Sequence, residues 1–426
     1  MGGEPPFPET VRAFRQDDSE FEMNRDAPMN NPRKNSKRLS LTVKVLGLVS
    51  FFTDTSMEMV YPLLPIFLTS VLGAGPVFLG VIEGIAEGSA SVLKGFSGYI
   101  SDRIGKRKAI LVAGYSLSAI SDPLFAATRA VWQALFVRFA ERIGKGIRES
   151  PRDAMIADAT DESIRGKAYG FHRALDTLGA VVGPGLAFVL MWLLRSKGNA
   201  AYRWVFLIAF IPGLIAVILL VFLVREKAGG EKREFPKLRL SLFPASFKAF
   251  IVVIEVFTLG NSSDAFLLLR ARNEGISVFY IPLLWMVFNV LYAVVSTPSG
   301  ALSDRIGRKK ILVFGFFLYA LVYVGFGFLR GLVWLWVLFA VYGLFYGLTQ
   351  GVFGAYIADL APPELKGTAF GIYQATQGIF TFFASLVFGA LWQLVNPSVA
   401  FLFGAGMAVI AAILMIAICG ECPAKK

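Results

Sequence analysis

Four carboxylates stand in two pairs inside apolar runs, Asp54 with Glu58 and Glu83 with Glu87. Each pair is spaced i, i+4, which sets both members on one face of a helix. Lys94 follows Glu87 two turns further along the same face. Another run carries Arg138, Arg142, Lys145 and Glu149 at a similar period, with Arg148 and Arg152 near its end; the next carries His172, Arg173 and Asp176. Two carboxylates that close in a low dielectric do not both ionise readily, so one member of a pair is expected to keep a proton near neutral pH. That is proton-carrier chemistry. Asp54 is the first candidate, because its run has no basic residue at that depth, and Arg138 is the expected opposing charge. Structural roles compete for the same residues. Lys145, Arg148 and Arg152 suit interfacial anchors, Asp54 and Glu58 suit partners of bases across a bundle, and Glu83, Glu87 and Lys94 suit an internal ion-pair set. His172 reads as a hydrogen-bonded packing residue, and no metal site is expected.

The elements that must hold these groups are helices in a membrane. Of 426 residues, 55% are hydrophobic and 17% charged, a balance that a water-soluble surface does not accommodate. The apolar residues form about twelve runs long enough to cross roughly 30 Å of hydrocarbon. They fall near 43–70, 77–100, 109–128, 131–151, 167–194, 203–224, 247–269, 277–300, 310–329, 332–358, 366–394 and 398–419. A transmembrane β-barrel would instead show short alternating segments. The fold class expected is therefore an all-α integral membrane protein with twelve transmembrane helices in two six-helix halves. Residues 1–40 read as a disordered tail, 41–224 and 247–420 as the halves, 225–246 as a linker and 421–426 as a second tail. No cleavable signal peptide precedes the first span, which would itself direct insertion.

The formal net charge of +12 is set by topology rather than by nucleic acid. Lys and Arg concentrate in alternate connections, around 103–108, 165–167, 225–239 and 305–310, while the opposite connections carry few. This positive-inside bias puts both termini and the linker in the cytoplasm of a plasma-membrane protein. Cys419 and Cys422 form one C-x-x-C, too few ligands for a zinc site.

Two stretches repeat at a near-constant offset. Gly98-Tyr-Ile-Ser-Asp102-Arg103-Ile-Gly105-Lys-Arg107-Lys is echoed by Gly300-Ala-Leu-Ser-Asp304-Arg305-Ile-Gly307-Arg-Lys309-Lys. Ile156-Ala-Asp158 likewise returns as Ile357-Ala-Asp359. Two echoes in the same order mark an internal duplication. An even number of spans per half makes the repeats parallel, with a cleft between them near the midplane as the expected substrate site. The pattern G-x-x-x-D-[RK]-x-G-[RK]-[RK], present twice, resembles the signature loop of the major facilitator superfamily, and the resemblance covers about 43–420. It implies alternating access between the halves, with the two loops latching the cytoplasmic side. Gly98 and Gly300 would let helices approach closely, and Asp102 and Asp304 would meet a neighbouring helix N-terminus. Gly170, Gly179, Gly183 and Pro184 reproduce the G-x8-G-x3-G-P spacing of the superfamily's proton-linked antiporters, although Ala187-Phe188 replace the glycines that follow there. Arg138 and Gly144 match the superfamily's R-x-x-x-G-x-G pattern, with Arg142 in place of its first glycine. The matching arginine in relatives is linked to proton coupling.

The resemblance implies a secondary transporter and no enzyme, driven by a proton gradient without a cofactor and working as a monomer on a small-molecule substrate. Efflux of a drug or metabolite is the leading expectation. Uptake of an organic anion is the alternative suggested by Lys94, Arg138, Arg142 and Arg173; a non-transporting sensor of the same fold is another. Asp176, Asn261, Asp264, Asn289, Gln374 and Gln377 complete the expected cavity, the second half supplying mainly neutral recognition. One charge crossing 100 mV supplies about 2.3 kcal/mol, enough for a roughly fifty-fold gradient.

Overall fold

A computed structural model describes residues 39–419 apart from Gly105, Arg225, 227–241, Pro363 and Glu364; for Gly98, Tyr99, Asp102, Ile104 and Glu162 it describes the backbone alone. The expected linker and both tails thus lie mostly outside the described residues, as do Gly105, Cys422 and the side chain of Asp102. The described residues belong to one compact unit that starts at Leu39. They are helical: α1 Leu41–Val60, α2 Leu64–Ile66, α3 Pro76–Ile104, α4 Arg107–Ala127, α5 Val131–Asp158, α6 Arg165–Leu193 and α7 Ala200–Leu223 form the first half. The second half contains α8 Ala245–Gly260, α9 Ala265–Asn273, α10 Ile281–Ile306, α11 Arg308–Phe328, α12 Leu332–Leu360, α13 Lys366–Leu394 and α14 Pro397–Ile418.

Ten spans among the described residues are long and apolar enough to cross a bilayer. The other two long helices, α1 and α5, carry more charges than such a composition allows. Away from the helix ends those charges face inwards. On α5, Arg138, Glu141, Arg142 and Arg148 are all buried, which satisfies the rule that membrane charges turn to the bundle interior.

The first span of each half is broken, where the sequence suggested continuous helices. After Val60 the chain turns through Tyr61, Pro62 and Leu63 before α2 and a π-helical stretch, Phe67–Val71. Pro62 cannot donate a helical hydrogen bond. In the second half the helix stops at Gly260 and resumes at Ala265, through Asn261-Ser-Ser-Asp264. Side chains take over the freed backbone groups: Tyr319 donates to the Gly260 carbonyl at 3.0 Å, and the Ala265 N–H donates to Ser263 Oγ at 3.3 Å. Corresponding interruptions in two repeats point to a midplane cavity between them.

The halves meet through α3 with α13, α6 with α10, and α2 with α9. The first two pairs exchange under the internal duplication, so the interface is two-fold in pattern. Glycines allow the α3–α13 approach: a Cβ on Gly88 would stand 2.8 Å from the Gly378 carbonyl, and one on Gly389 would stand 2.5 Å from that of Pro76. The approach is closest at the end of the bundle remote from the basic loops, where the Val77 N–H donates to Gln393 at 3.1 Å. Towards the basic end it loosens. Gly95 lies 3.6 Å from Gly371 by the same measure, and Gly166, Gly170, Gly300 and Gly367 face open space. Close helix contact at Gly300, expected from the duplicated loop, is therefore absent in this conformation, because the halves are parted there.

The echoed motifs turn out to be partners. Arg107 pairs with Asp158 in the first half, and Arg308 with Asp359 in the second. Each binds the basic loop to the far end of the helix two spans on, inside its own half. Asp304 lies 3.3 Å from Arg308, one turn away. Gly307 ends α10 at φ 97°, a left-handed conformation that explains the second glycine of the motif. Lys309 caps the carbonyls of Ile416 and Cys419 at the end of α14.

Candidate functional site

The helix breaks of both halves open onto one cavity of about 170 Å³. Tyr61 comes from the first break and Asp264 from the second; Glu58, Glu87, Asp122, Glu141, Arg138, Arg142, Lys145 and Trp285 complete its charged and polar wall. At its floor Arg138 grips Glu83 through two parallel bonds, Nε to Oε1 and Nη2 to Oε2, both 2.9 Å. Its third arm, Nη1, donates to Glu141 at 2.6 Å. Arg142 meets Glu87 at 2.6 Å and lies 3.7 Å from Glu141. Both guanidinium groups sit over the Tyr61 ring, 5.3 and 5.8 Å from its centroid. Glu83, Glu141 and both arginines are each at most 4% exposed, so this is a buried charge network, not a surface cluster. A paired arrangement of this kind tolerates burial, whereas loss of either partner leaves an uncompensated charge.

Three side-chain bonds cross the interface between the halves around the site. Ser263 donates to Glu83 at 3.1 Å, Trp285 Nε1 donates to Glu58 at 2.6 Å, and Arg173 Nη2 donates to Tyr292 at 2.7 Å. Asp264 accepts from Tyr342 at 2.5 Å. The cavity wall thus holds five acids, Glu58, Glu87, Asp122, Glu141 and Asp264, against three bases, Arg138, Arg142 and Lys145. Glu83 behind it deepens the imbalance. Burial of an excess of acids disfavours ionising all of them together.

The expected site residues divide among several places. Asp54 and Glu58 share a helix face but serve different clusters, a correction to the pairing read from their spacing. Asp54 lies against Asp176 on α6, which brings two carboxyl groups together from different helices. Ser50 and Arg173 complete that cluster, each 3.2 Å from Asp176. Glu83 and Glu87 do not act as an unpaired carboxyl pair either: Arg138 holds Glu83 at 2.9 Å and lies 3.8 Å from Glu87, which Arg142 meets at 2.6 Å. Lys94 pairs with Glu149 at 2.7 Å in a second cavity, lined also by Gln374 and sharing Glu87 and Lys145 with the first. Lys145 has no carboxylate within 4.0 Å among the described residues. Asn261 accepts from Tyr319 at 3.2 Å, and Gln377 lies one turn from Tyr373 on α13; Asn289 is buried with its Nδ2 unpartnered. Gly179 and Gly183 pack α6 on α1 beside the acids: their Cβ positions lie 2.5 Å from the Phe51 carbonyl and 2.6 Å from that of Thr55. A Cβ on Gly170 would meet nothing within 4 Å. Among the described residues no group of three or more His, Cys, Asp or Glu could hold a metal.

Sequence reasoning passed over Glu141, Asp122, Tyr61, Trp285 and Ser263. Glu141 had a visible signal, an acid set between Arg138 and Arg142, and Asp122 is an acid in the third apolar run. Tyr61 and Ser263 gain their places from the helix breaks, for which Pro62 and the run Asn261-Ser-Ser-Asp264 were the clues.

A family model described as Major Facilitator Superfamily matches residues 46–270 and 245–421. Over 389 residues the chain is 34% identical to an uncharacterized MFS-type transporter of Methanocaldococcus jannaschii, covering 90% of this chain and 96% of that one. The quinolone resistance protein NorA of Staphylococcus aureus is 25% identical over 234 residues, 54% of this chain and 58% of NorA. Among solved structures, a D-xylose-proton symporter superposes with a TM-score of 0.71 at 18% identity, over 91% of this chain and 98% of that one.

Proposed function

The chain belongs to the major facilitator superfamily, as a multi-pass membrane transporter and not an enzyme, and from that premise we propose that it is a proton-coupled exporter of small organic molecules. The observation that carries the reading is the central carboxylate excess: five acids against three bases in a cavity between the halves, with Glu58 and Glu83 bonded across the interface. Rocking of one half on the other breaks those cross-interface bonds and changes the exposure of the carboxylates. Proton affinity then differs between the two states, which is the requirement for coupling.

Export is favoured by the glycine pattern of α6, whose Gly179 and Gly183 pack directly on the Asp54 and Glu58 turns of α1. The similarity to a quinolone resistance protein points the same way. Uptake of an organic anion is disfavoured by the fate of its four candidate bases. Arg138, Arg142, Lys94 and Arg173 are each already held by a carboxylate. The positive-inside bias supports a cytoplasmic position for the basic loops and both termini; the parted end then faces the cytoplasm and the conformation accepts substrate from inside. The exporter works as a monomer.

The test is extrusion from vesicles containing the purified protein, with ethidium and a fluoroquinolone as probes and an imposed proton gradient. Gradient-driven movement of either probe, abolished by a protonophore, is expected. Movement of neither probe, or movement indifferent to the protonophore, would overturn the proposal.

A further inference from the structure

Asp122 on α4 is 2% exposed, lines the central cavity and belongs to none of its ion pairs. Its partner is Ser56 on α1, whose Oγ lies 2.5 Å from Asp122 Oδ2. The same Ser56 Oγ lies 2.6 Å from the backbone carbonyl of Ala209 on α7. Oxygens this close require a hydrogen between them, since 2.5–3.0 Å is the range of an O–H···O bond. Ser56 has a single hydroxyl hydrogen, and a carbonyl has none to give. Two short contacts therefore need two hydrogens, and only the Asp122 carboxyl can bring the second.

We propose that Asp122 is a proton-binding site of the cavity, its carboxyl O–H donating to Ser56 Oγ while the Ser56 hydroxyl donates to the Ala209 carbonyl. The inference rests on the proton-coupled reading above and adds to it a named site that is separate from the Asp54–Asp176 pair. The surroundings agree with a neutral acid. From α5, Glu141 and Arg148 act on Asp122 with opposite signs. Arg148 is engaged elsewhere: it donates to Ser118 and Met57 and stacks on Tyr115 at 4.6 Å. Across the cavity, Arg138 and Arg142 are held by Glu83, Glu87 and Glu141, while Glu58 on α1 is bonded to Trp285. Lys145 stands in the same wall. From α7 the contact is the Ala209 carbonyl. No base lies within 4.0 Å of Asp122 among the described residues.

Release of the proton has a mechanical consequence. The Asp122 O–H bond breaks, the proton passes to water in the cavity, and the carboxylate becomes an acceptor. The Ser56 hydroxyl then turns from the Ala209 carbonyl to the carboxylate, since a charged acceptor makes the stronger bond. The side-chain bond between α1 and α7 is lost in the same step, so the charge of Asp122 is coupled to the seating of α1.

Infrared difference spectroscopy of the purified protein in lipid vesicles tests the assignment without any substrate. At neutral pH the wild-type protein is expected to show a carboxylic-acid C=O band, sensitive to D2O, that Asp122→Asn lacks. Ser56→Ala, which removes the acceptor, is expected to shift that band to higher frequency; it keeps the proposal testable if Asp122→Asn does not fold. Acid-region spectra that superimpose for wild type and variants would show Asp122 ionised and overturn the proposal. This arm decides Asp122 even if the transport reading fails. With ethidium as the probe, gradient-driven extrusion by Asp122→Asn is expected to fall to the rate without a gradient. Undiminished gradient-driven extrusion would overturn the site's part in coupling.

Discussion

At the residue scale, the chemistry lies in how few bases are left free. Arg138 spends all three of its nitrogens on Glu83 and Glu141, and Arg142 answers Glu87. Removing one partner strands a buried charge, so Arg138→Met is expected to cost about 3–5 kcal/mol of stability. The double variant Arg138→Met with Glu83→Gln should recover much of that loss, and thermal unfolding in detergent measures both. Equal destabilisation by single and double variants would contradict the pairing. For the Asp54–Asp176 pair, Asp54→Asn is expected to abolish gradient-driven transport while leaving probe exchange, which needs no net proton movement. A pH dependence equal to the wild type would remove Asp54 from the coupling path. The residue types were legible from sequence, because a charge inside an apolar run stands out. Their partners were not. Helical spacing joined Asp54 to Glu58, whereas packing of α6 on α1 joined Asp54 to Asp176, and no one-dimensional period reports a contact between residues 122 positions apart.

At the scale of elements, small residues and breaks do the positioning. The glycines of α6 differ in kind: Gly179 and Gly183 meet backbone carbonyls of α1, and Gly170 meets open space. Gly179→Val and Gly183→Val are therefore expected to lose about 1–3 kcal/mol or more by overpacking. Gly170→Ala should be neutral or gain up to about 1 kcal/mol of helix propensity. Comparison of their melting temperatures and transport rates tests this; equal effects at the three positions would contradict the packing. The helices themselves were readable from apolar run length, even α5, whose many charges lower its mean hydropathy. The two breaks were harder to foresee. A run of apolar residues gives no sign of interruption, and Asn261-Ser-Ser-Asp264 reads equally well as polar positions along an intact helix.

At the scale of the whole molecule, the parted basic end and the joined far end describe one state of a two-state carrier. The orientation proposed from the basic loops is open to direct labelling. Asp161 lies in an exposed connection at the basic end and Ser196 in one at the far end. In intact cells a membrane-impermeant thiol reagent is expected to modify Ser196→Cys and spare Asp161→Cys; the reverse would invert the topology. The duplication was plain in the sequence because both copies of the loop survive. That Asp158 and Asp359 are the ion partners of the loops became visible only when folding brought the echoed segments together. The central claim, that cavity carboxylates couple probe movement to proton movement, is tested most directly by a pH-sensitive dye sealed inside vesicles carrying the protein. Ethidium crossing the membrane through the wild-type protein should drive an opposite flow of protons, seen as a change of internal pH that Glu58→Gln and Asp54→Asn diminish. Ethidium flux through the wild-type protein with internal pH unchanged would contradict the account.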